Sequence, residues 1–251
     1  MLPPRCLLMS DLPMRDHLVF TLAASLGSMG ELAGHARRGS WSWPGRSAVL
    51  GLCAAAMGIR RDGDFSALDG LGMAVAVFET GDPLRDYHTV QSVPSAVAKH
   101  PQTRGEALRL ARRSVGQGKS GADTTITLRD YRCGVLYGVA LWGQGLAEVR
   151  EALLRPVFTL SLGRKSCPLS APLEPRLISA PDAANALAGM ALPPWLSGAS
   201  AALIATEEEI AEARVEFRQD RPTDRIGWHF APRAVRMAVC SIAPRVAGEA
   251  A

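Results

Sequence analysis

Val157-Phe-Thr-Leu-Ser-Leu-Gly-Arg-Lys-Ser-Cys-Pro168 is the stretch on which the fold reading turns. Apolar and polar residues alternate up to Leu162, the period-two signature of a half-buried strand. A glycine then hands over to two cations, a serine and a cysteine. Gly163 permits close backbone approach, Arg164 and Lys165 bring charge, and Pro168 and Pro172 keep the following segment from becoming helical. If residues 157–162 are a strand, they complete a recognisable order of elements.

Working back from it, Leu146-Ala-Glu-Val-Arg-Glu-Ala-Leu-Leu154 has apolar residues at helical spacing and is closed by Pro156. Residues 133–141 form a buried strand, and residues 124–132 are a β-rich arm leading into it. Gly72-Met-Ala-Val-Ala-Val-Phe-Glu79 reads as a strand buried on both faces, and residues 85–91 continue in extended form after a turn at Gly81-Asp-Pro83. Residues 45–57, entered through Pro44 and stopped by Gly58, have the composition of a buried helix. Gly51 inside it costs roughly 1 kcal/mol relative to alanine and predicts close packing on the sheet. Residues 17–22 are the first strand.

The order strand, helix, strand, strand, helix, strand predicts an α+β, ferredoxin-like fold, the antiparallel scaffold shared by RRM-like RNA-binding modules. Its second and third strands flank a long polar insertion, residues 94–123, whose extended arms reach about 85–132. The insertion holds Lys99, His100, Arg104, Arg109, Arg112, Arg113 and Lys119 against two acids, Glu106 and Asp123. A charge run of this kind is a solvated, mobile face when free and orders on a polyanion. Residues 173–251 read as a small β-rich C-terminal subdomain, with short strands expected at 176–179, 201–205, 213–218 and 233–240 and a helix within 181–192. Glu207-Glu-Glu209 reads as a solvated edge or a first helical turn capped by Thr206, with no function.

The 251 residues carry 47% hydrophobic and 21% charged side chains, the balance of a globular chain rather than a disordered or fibrous one. A formal charge of +4 is a mild excess, so a polyanion site must arise from local clustering. Cys6, Cys53, Cys133, Cys167 and Cys240 are scattered and odd in number, which argues against a disulfide framework or a structural zinc site and fits a reducing cytoplasm. No metal and no cofactor is expected. No apolar run reaches the ~18 residues of a membrane span, so no membrane association is expected. Residues 1–16, with three prolines ahead of Met14, read as a non-structural extension.

Four blocks in one order then carry a family resemblance. Residues 44–59 (Pro-Gly-Arg-Ser-Ala-Val-Leu-Gly-Leu-Cys-Ala-Ala-Ala-Met-Gly-Ile), Asp86-Tyr-His-Thr-Val90, residues 125–131 and Leu162-Gly-Arg-Lys-Ser-Cys-Pro168 resemble the CasD family, the type I-E branch of Cas protein family five. Arg218-Gln-Asp-Arg-Pro222, with Arg225, Phe230 and Arg233, is a weaker echo. The resemblance implies a non-catalytic subunit of Cascade, the RNA-guided complex of CRISPR antiviral defence, that caps the backbone and holds the 5′ handle of the CRISPR RNA. It implies CasC and CasA as neighbours, CasB and CasE as indirect partners, target DNA met through the complex, and a thumb that wedges against the RNA. Where the family has a Gly-Pro-Leu-Gln-Ser-Trp-Gly type of turn, this chain has Ala24-Ser-Leu-Gly-Ser-Met-Gly30, and Trp41 and Trp43 stand as possible substitutes for the missing ring.

The residues expected on RNA are Arg37, Arg38, Arg46, Ser47, Tyr87, His88, Arg104, Arg129, Gly163, Arg164, Lys165 and Ser166. Gly163–Ser166 act as a phosphate clamp, or else as a solvated turn. Arg46 and Ser47 sit where a helix N-terminus either meets phosphate or is capped by Ser42 or Ser47. An alternative of another class is a metal-independent endoribonuclease, with His88 and Tyr87 as its acid–base pair and Lys165 or Arg164 on the developing charge. Its opposite is that Tyr87 packs and His88 makes neutral hydrogen bonds in a strand.

Overall fold

The computed structural model describes residues 13–31, 36–118, 121–211 and 213–244. The expected N-terminal extension, but for residues 13–16, and Lys119 of the thumb lie outside the described residues. The elements in order are β1 (Arg15–Gly27), β2 (Arg37–Arg38), α1 (Arg46–Ala56), α2 (Ser66–Asp69), β3 (Gly72–Glu79), β4 (Asp82–Ser92), α3 (Arg104–Gly116), β5 (Asp123–Trp142), α4 (Leu146–Leu154), β6 (Arg176–Ala180), α5 (Ala183–Leu187), β7 (Ala201–Thr206), β8 (Arg214–Asp224) and β9 (His229–Ile242). They make an α+β protein around one large sheet of order β6-β1-β5-β3-β7-β9-β8, with β2 and β4 pairing separately with β5.

The central strands form because their residues alternate in burial demand. Leu18, Phe20 and Leu22 of β1, Met73, Val75 and Val77 of β3, and Val135, Tyr137, Val139 and Leu141 of β5 point to one face, where α1 and α4 pack on them. The opposite face is built of small residues, Ala74, Ala76 and Ala140, and is covered by α5 and Met190. Gly138 makes that cover possible, since a Cβ there would sit 2.5 Å from Met190 Sδ and 3.0 Å from Leu187 Cδ2. The sheet face that RRM-like modules leave open for RNA is therefore closed by the chain itself.

Residues 157–162 are not a strand. Val157 N–H donates to Ala56 O and Phe158 N–H to Ala55 O, so their backbone bonds the C-terminal turn of α1, and only an isolated Ser161–Pro168 bridge follows. The edge strand beside β1 is instead β6, paired from Arg15↔Ala180 to Val19↔Arg176. The strands expected within residues 173–251 join the same sheet, with β7 pairing β3 from Ala74↔Thr206 to Val77↔Leu203.

The β-rich arm at 124–132 and the buried strand at 133–141 are one continuous strand. β5 runs 20 residues, roughly 65 Å, and serves both the core sheet and the thumb. The thumb is the hairpin of β4 and the first half of β5, in register from Ser92↔Asp123 to Asp82↔Cys133. Its insertion is not featureless, for α3 forms there. Thr103 accepts from Glu106 N–H and Glu106 Oε2 accepts from Gln102 N–H, a reciprocal N-terminal cap. Ala107 and Ala111 are the buried face of α3, while Arg104, Arg109, Arg112 and Arg113 are exposed.

Candidate nucleic-acid interface

A groove of about 1090 Å³ runs over the outer face of α1, between the 158–165 segment and the tip of the β8–β9 hairpin. Its floor is made of small residues, Ser47, Ala48, Gly51 and Ala55, which keep it deep. Gly51 was expected to pack on the sheet, but it is exposed and a Cβ there would meet nothing within 4 Å. Its walls carry Arg60, Arg61, Lys165 and Arg225 with the rings of Phe65, Phe158, Trp228 and Phe230, and no carboxylate is among the lining residues. Cations that track a backbone, beside rings on which bases stack, are what a single-stranded polyanion requires.

Three of the sequence-predicted residues meet in this groove: Ser47, Gly163 and Lys165. Gly163 is there for a conformational reason. Its φ is +88°, and a Cβ would lie 1.7 Å from Ser28 O, so the close backbone partner is the chain itself. Ser28 N–H donates to Leu162 O at 3.0 Å, which ties the turn to the end of β1. Lys165 and Ser166 are exposed; Cys167 is buried, and burial raises its thiol pKa.

Arg164 does not face outward as a phosphate donor. Its Nη1 donates to Asp130 O at 3.0 Å, its Nη2 to Arg38 O at 3.1 Å, and the guanidinium lies 4.5 Å from the Tyr131 ring centroid. It staples the turn to β2 and β5. Nor is Arg46 free for RNA. Its side chain is 7% exposed, its Nη1 pairs with Glu207 at 3.0 Å, and its Nη2 donates to Asp69 O. The α1 N-terminus is taken as well, because Asp220 Oδ2 accepts from Arg46 N–H at 2.8 Å in place of either expected serine cap. Asp220 also holds Arg233, and Arg233 reaches back to Glu207.

Glu207-Glu-Glu209 is thus a counter-charge, not an idle edge or a helical turn. Glu207 serves Arg46, Arg233 and Met73 N–H, Glu208 accepts from Ala183 N–H and pairs with Arg15, and Glu209 pairs with Arg236. Trp41 and Trp43 are not free rings either. The Arg218 guanidinium lies 4.2 Å from one centroid and 3.5 Å from the other, and its burial lowers its pKa to about 10. Met29, where the family turn has tryptophan, is buried in the core.

The remaining predicted residues lie along the thumb. Arg37 and Arg38 form β2, parallel to β5 at Leu128 and Arg129. Asp130 accepts from Arg85 at 2.7 Å and from Arg37 at 2.8 Å, and these bonds hold its carboxyl pKa down at about 2. Arg129 is half-buried, with a buried Nε that makes no hydrogen bond. Arg104 donates to Gln91 O, tying α3 to β4. Tyr87 is 69% exposed rather than packed, while His88 is half-buried and its carbonyl accepts from Thr127 Oγ1. Neighbours on a strand face opposite ways, so Tyr87 and His88 do not converge on one reacting group. His88 does not line the groove that contains Lys165.

Arg60, Arg61 and Trp228 are groove residues that the sequence reading missed. An adjacent arginine pair, one residue beyond the helix-stopping Gly58, was the available signal. Among the described residues no three His, Cys, Asp or Glu side chains gather as a metal site. No described helix is long and apolar enough to cross a membrane.

The chain is 32% identical over 191 residues to the CRISPR system Cascade subunit CasD of Escherichia coli (strain K12), a match that covers 69% of this chain and 76% of that one. A chain of a CRISPR RNA-guided surveillance complex superposes with a TM-score of 0.67 over 92% of this chain and 93% of its own, at 21% identity. A Cas protein crystal structure superposes with a TM-score of 0.60 over 91% and 98%, at 28% identity. The model of the CRISPR-associated protein (Cas_Cas5) family matches residues 17–236, nearly the whole sheet and the thumb, and the chain belongs to that family.

Proposed function

We propose that this chain is the non-catalytic subunit of a type I-E Cascade that holds the 5′ handle of the CRISPR RNA, and that the groove over α1 is where it does so. The observation that carries the reading is the groove's composition: four cations and four rings, no carboxylate, over a floor of small residues. Two of the family-like blocks contribute to it, Ser47 from one and Gly163 and Lys165 from the other. The order β6-β1-β5-β3 supports a ferredoxin-like reading of the sheet with β6 as its fourth strand, extended by β7, β9 and β8.

On this reading the groove supplies stacking and phosphate contacts, and the thumb supplies a second basic surface. The exposed Arg109, Arg112 and Arg113 of α3 stand beyond the β4–β5 hairpin, where they reach RNA leaving the handle and displace a base at its boundary with the spacer. Single-stranded RNA is read through splayed bases and 2′-OH groups, and a groove with separate rings suits that mode. CasC and CasA are the proposed direct neighbours, with CasB and CasE further away and target DNA met only through the assembly.

Photocrosslinking in the assembled complex tests this. A photoreactive nucleotide in the handle should form adducts with the groove peptides around Arg60, Phe158 or Trp228. Adducts confined to other subunits would make the chain purely architectural. Site-specific cleavage of repeat RNA in EDTA, lost in His88→Ala, would replace the reading with a nuclease.

A further inference from the structure

We infer that Trp228, at the tip of the β8–β9 hairpin, is a stacking platform for one unpaired base of the RNA in this groove, with Arg61 as its cationic backing. The inference rests on the RNA-binding reading above and adds to it a residue that selects a base rather than a phosphate. Trp228 lines the groove and is 60% exposed, an unusual exposure for so large an apolar ring. One side of the ring is already engaged, since the Arg61 guanidinium sits 3.9 Å from its centroid. The rest is open.

The ring is held where it stands by the turn that carries it. Trp228 has a φ of +57°, rare for a bulky side chain and stabilised only by its surroundings. Asp224 Oδ1 accepts from both Ile226 N–H and Gly227 N–H at 2.9 Å and closes the turn. Arg225 pins the hairpin tip to α2, with Nη2 2.6 Å from Asp69 Oδ1 and its guanidinium 3.7 Å from the Phe65 centroid. An indole fixed in this way loses little entropy when a base stacks on it.

The test uses the full-length chain and single-stranded CRISPR repeat RNA, unlabelled for tryptophan emission and end-labelled for affinity. Trp228→Phe gives the share of the emission that belongs to this ring. RNA should quench that share, Trp228→Ala should weaken binding about tenfold, and Trp228→Phe should bind nearly as the parent does. Abasic substitutions along the RNA should reveal one position whose loss weakens the parent about tenfold but leaves Trp228→Ala unchanged. RNA bound with unchanged affinity by Trp228→Ala, or quenching only when other subunits are added without RNA, overturns the platform and leaves the RNA-binding reading standing. Failure of the parent chain to bind the RNA, alone and assembled with its partner subunits, overturns both.

Discussion

Replacing Glu207 by alanine should destabilise the protein by about 3 kcal/mol, while the same change at Glu209, two residues on, should cost about 0.5 kcal/mol or less. Glu207 accepts from Arg46 at 3.0 and 3.2 Å, from Arg233 at 3.0 Å and from Met73 N–H at 3.2 Å. The Arg46 and Arg233 side chains are 7% and 8% exposed. Without Glu207, Arg233 keeps the Asp220 carboxylate, but Arg46 keeps only the Asp69 carbonyl. One buried guanidinium is then left without a counter-ion, a defect worth about 3–5 kcal/mol, and the partial exposure of Glu207 places it at the lower end. Glu209, whose side chain is 83% exposed, pairs with Arg236 in solvent, where such pairs contribute little. Urea unfolding of both variants at constant m-value is the assay. A Glu207→Ala midpoint equivalent to less than 1 kcal/mol of loss, or equal to that of Glu209→Ala, would refute the network's structural role.

Gly163→Ala should cost more than about 3 kcal/mol, because it adds positive-φ strain to a clash with the Ser28 carbonyl, and thermal unfolding will show whether the turn yields instead. Asp130 gives a pH signature. Its folded pKa, about 2, lies below the ordinary 3.8, so its contribution is complete above about pH 4 and is lost as pH falls toward 2. With Arg37 and Arg85 about half exposed, solvent screening limits that contribution to about 1 kcal/mol, and Asp130→Asn should remove this part of the acid dependence.

The parts of the fold legible in the sequence are those whose burial repeats locally. β3 matches its expected residues because Met73, Val75 and Val77 face one layer and Ala74 and Ala76 the other. α4 was equally plain from its apolar spacing and Pro156. Residues 157–162 alternate just as well, yet alternation says that a segment is extended and one-sided, not what its backbone bonds. Here the bonds go to α1, and β6 takes the sheet edge. The full length of β5 was not plain because its outer half carries polar residues that pair with β4 and, at Leu128 and Arg129, with β2, outside the core sheet. α3 was missed although Thr103 and Glu106 spell a capping box, since the arginine run reads as solvated whether helical or not.

The site was half legible for a similar reason. A cation's sequence neighbours do not reveal its counter-ion. Arg46 and Arg164 looked like phosphate ligands from their motifs, and both are consumed by groups far along the chain: Glu207 in one case, the Arg38 and Asp130 carbonyls in the other. Lys165 and Ser47 stayed on the surface, and the residues joining them, Arg60, Arg61 and Trp228, come from loops that only the fold brings together.

The central claim is that this groove binds single-stranded RNA through its free cations. It is tested most directly by the salt dependence of repeat-RNA affinity in the parent chain and in a variant with Arg60, Arg61 and Lys165 all replaced by alanine. Each phosphate contact on a single strand contributes a slope of about −0.7 in log K against log salt, so the variant's slope should be shallower by about 2. An unchanged slope would contradict the account.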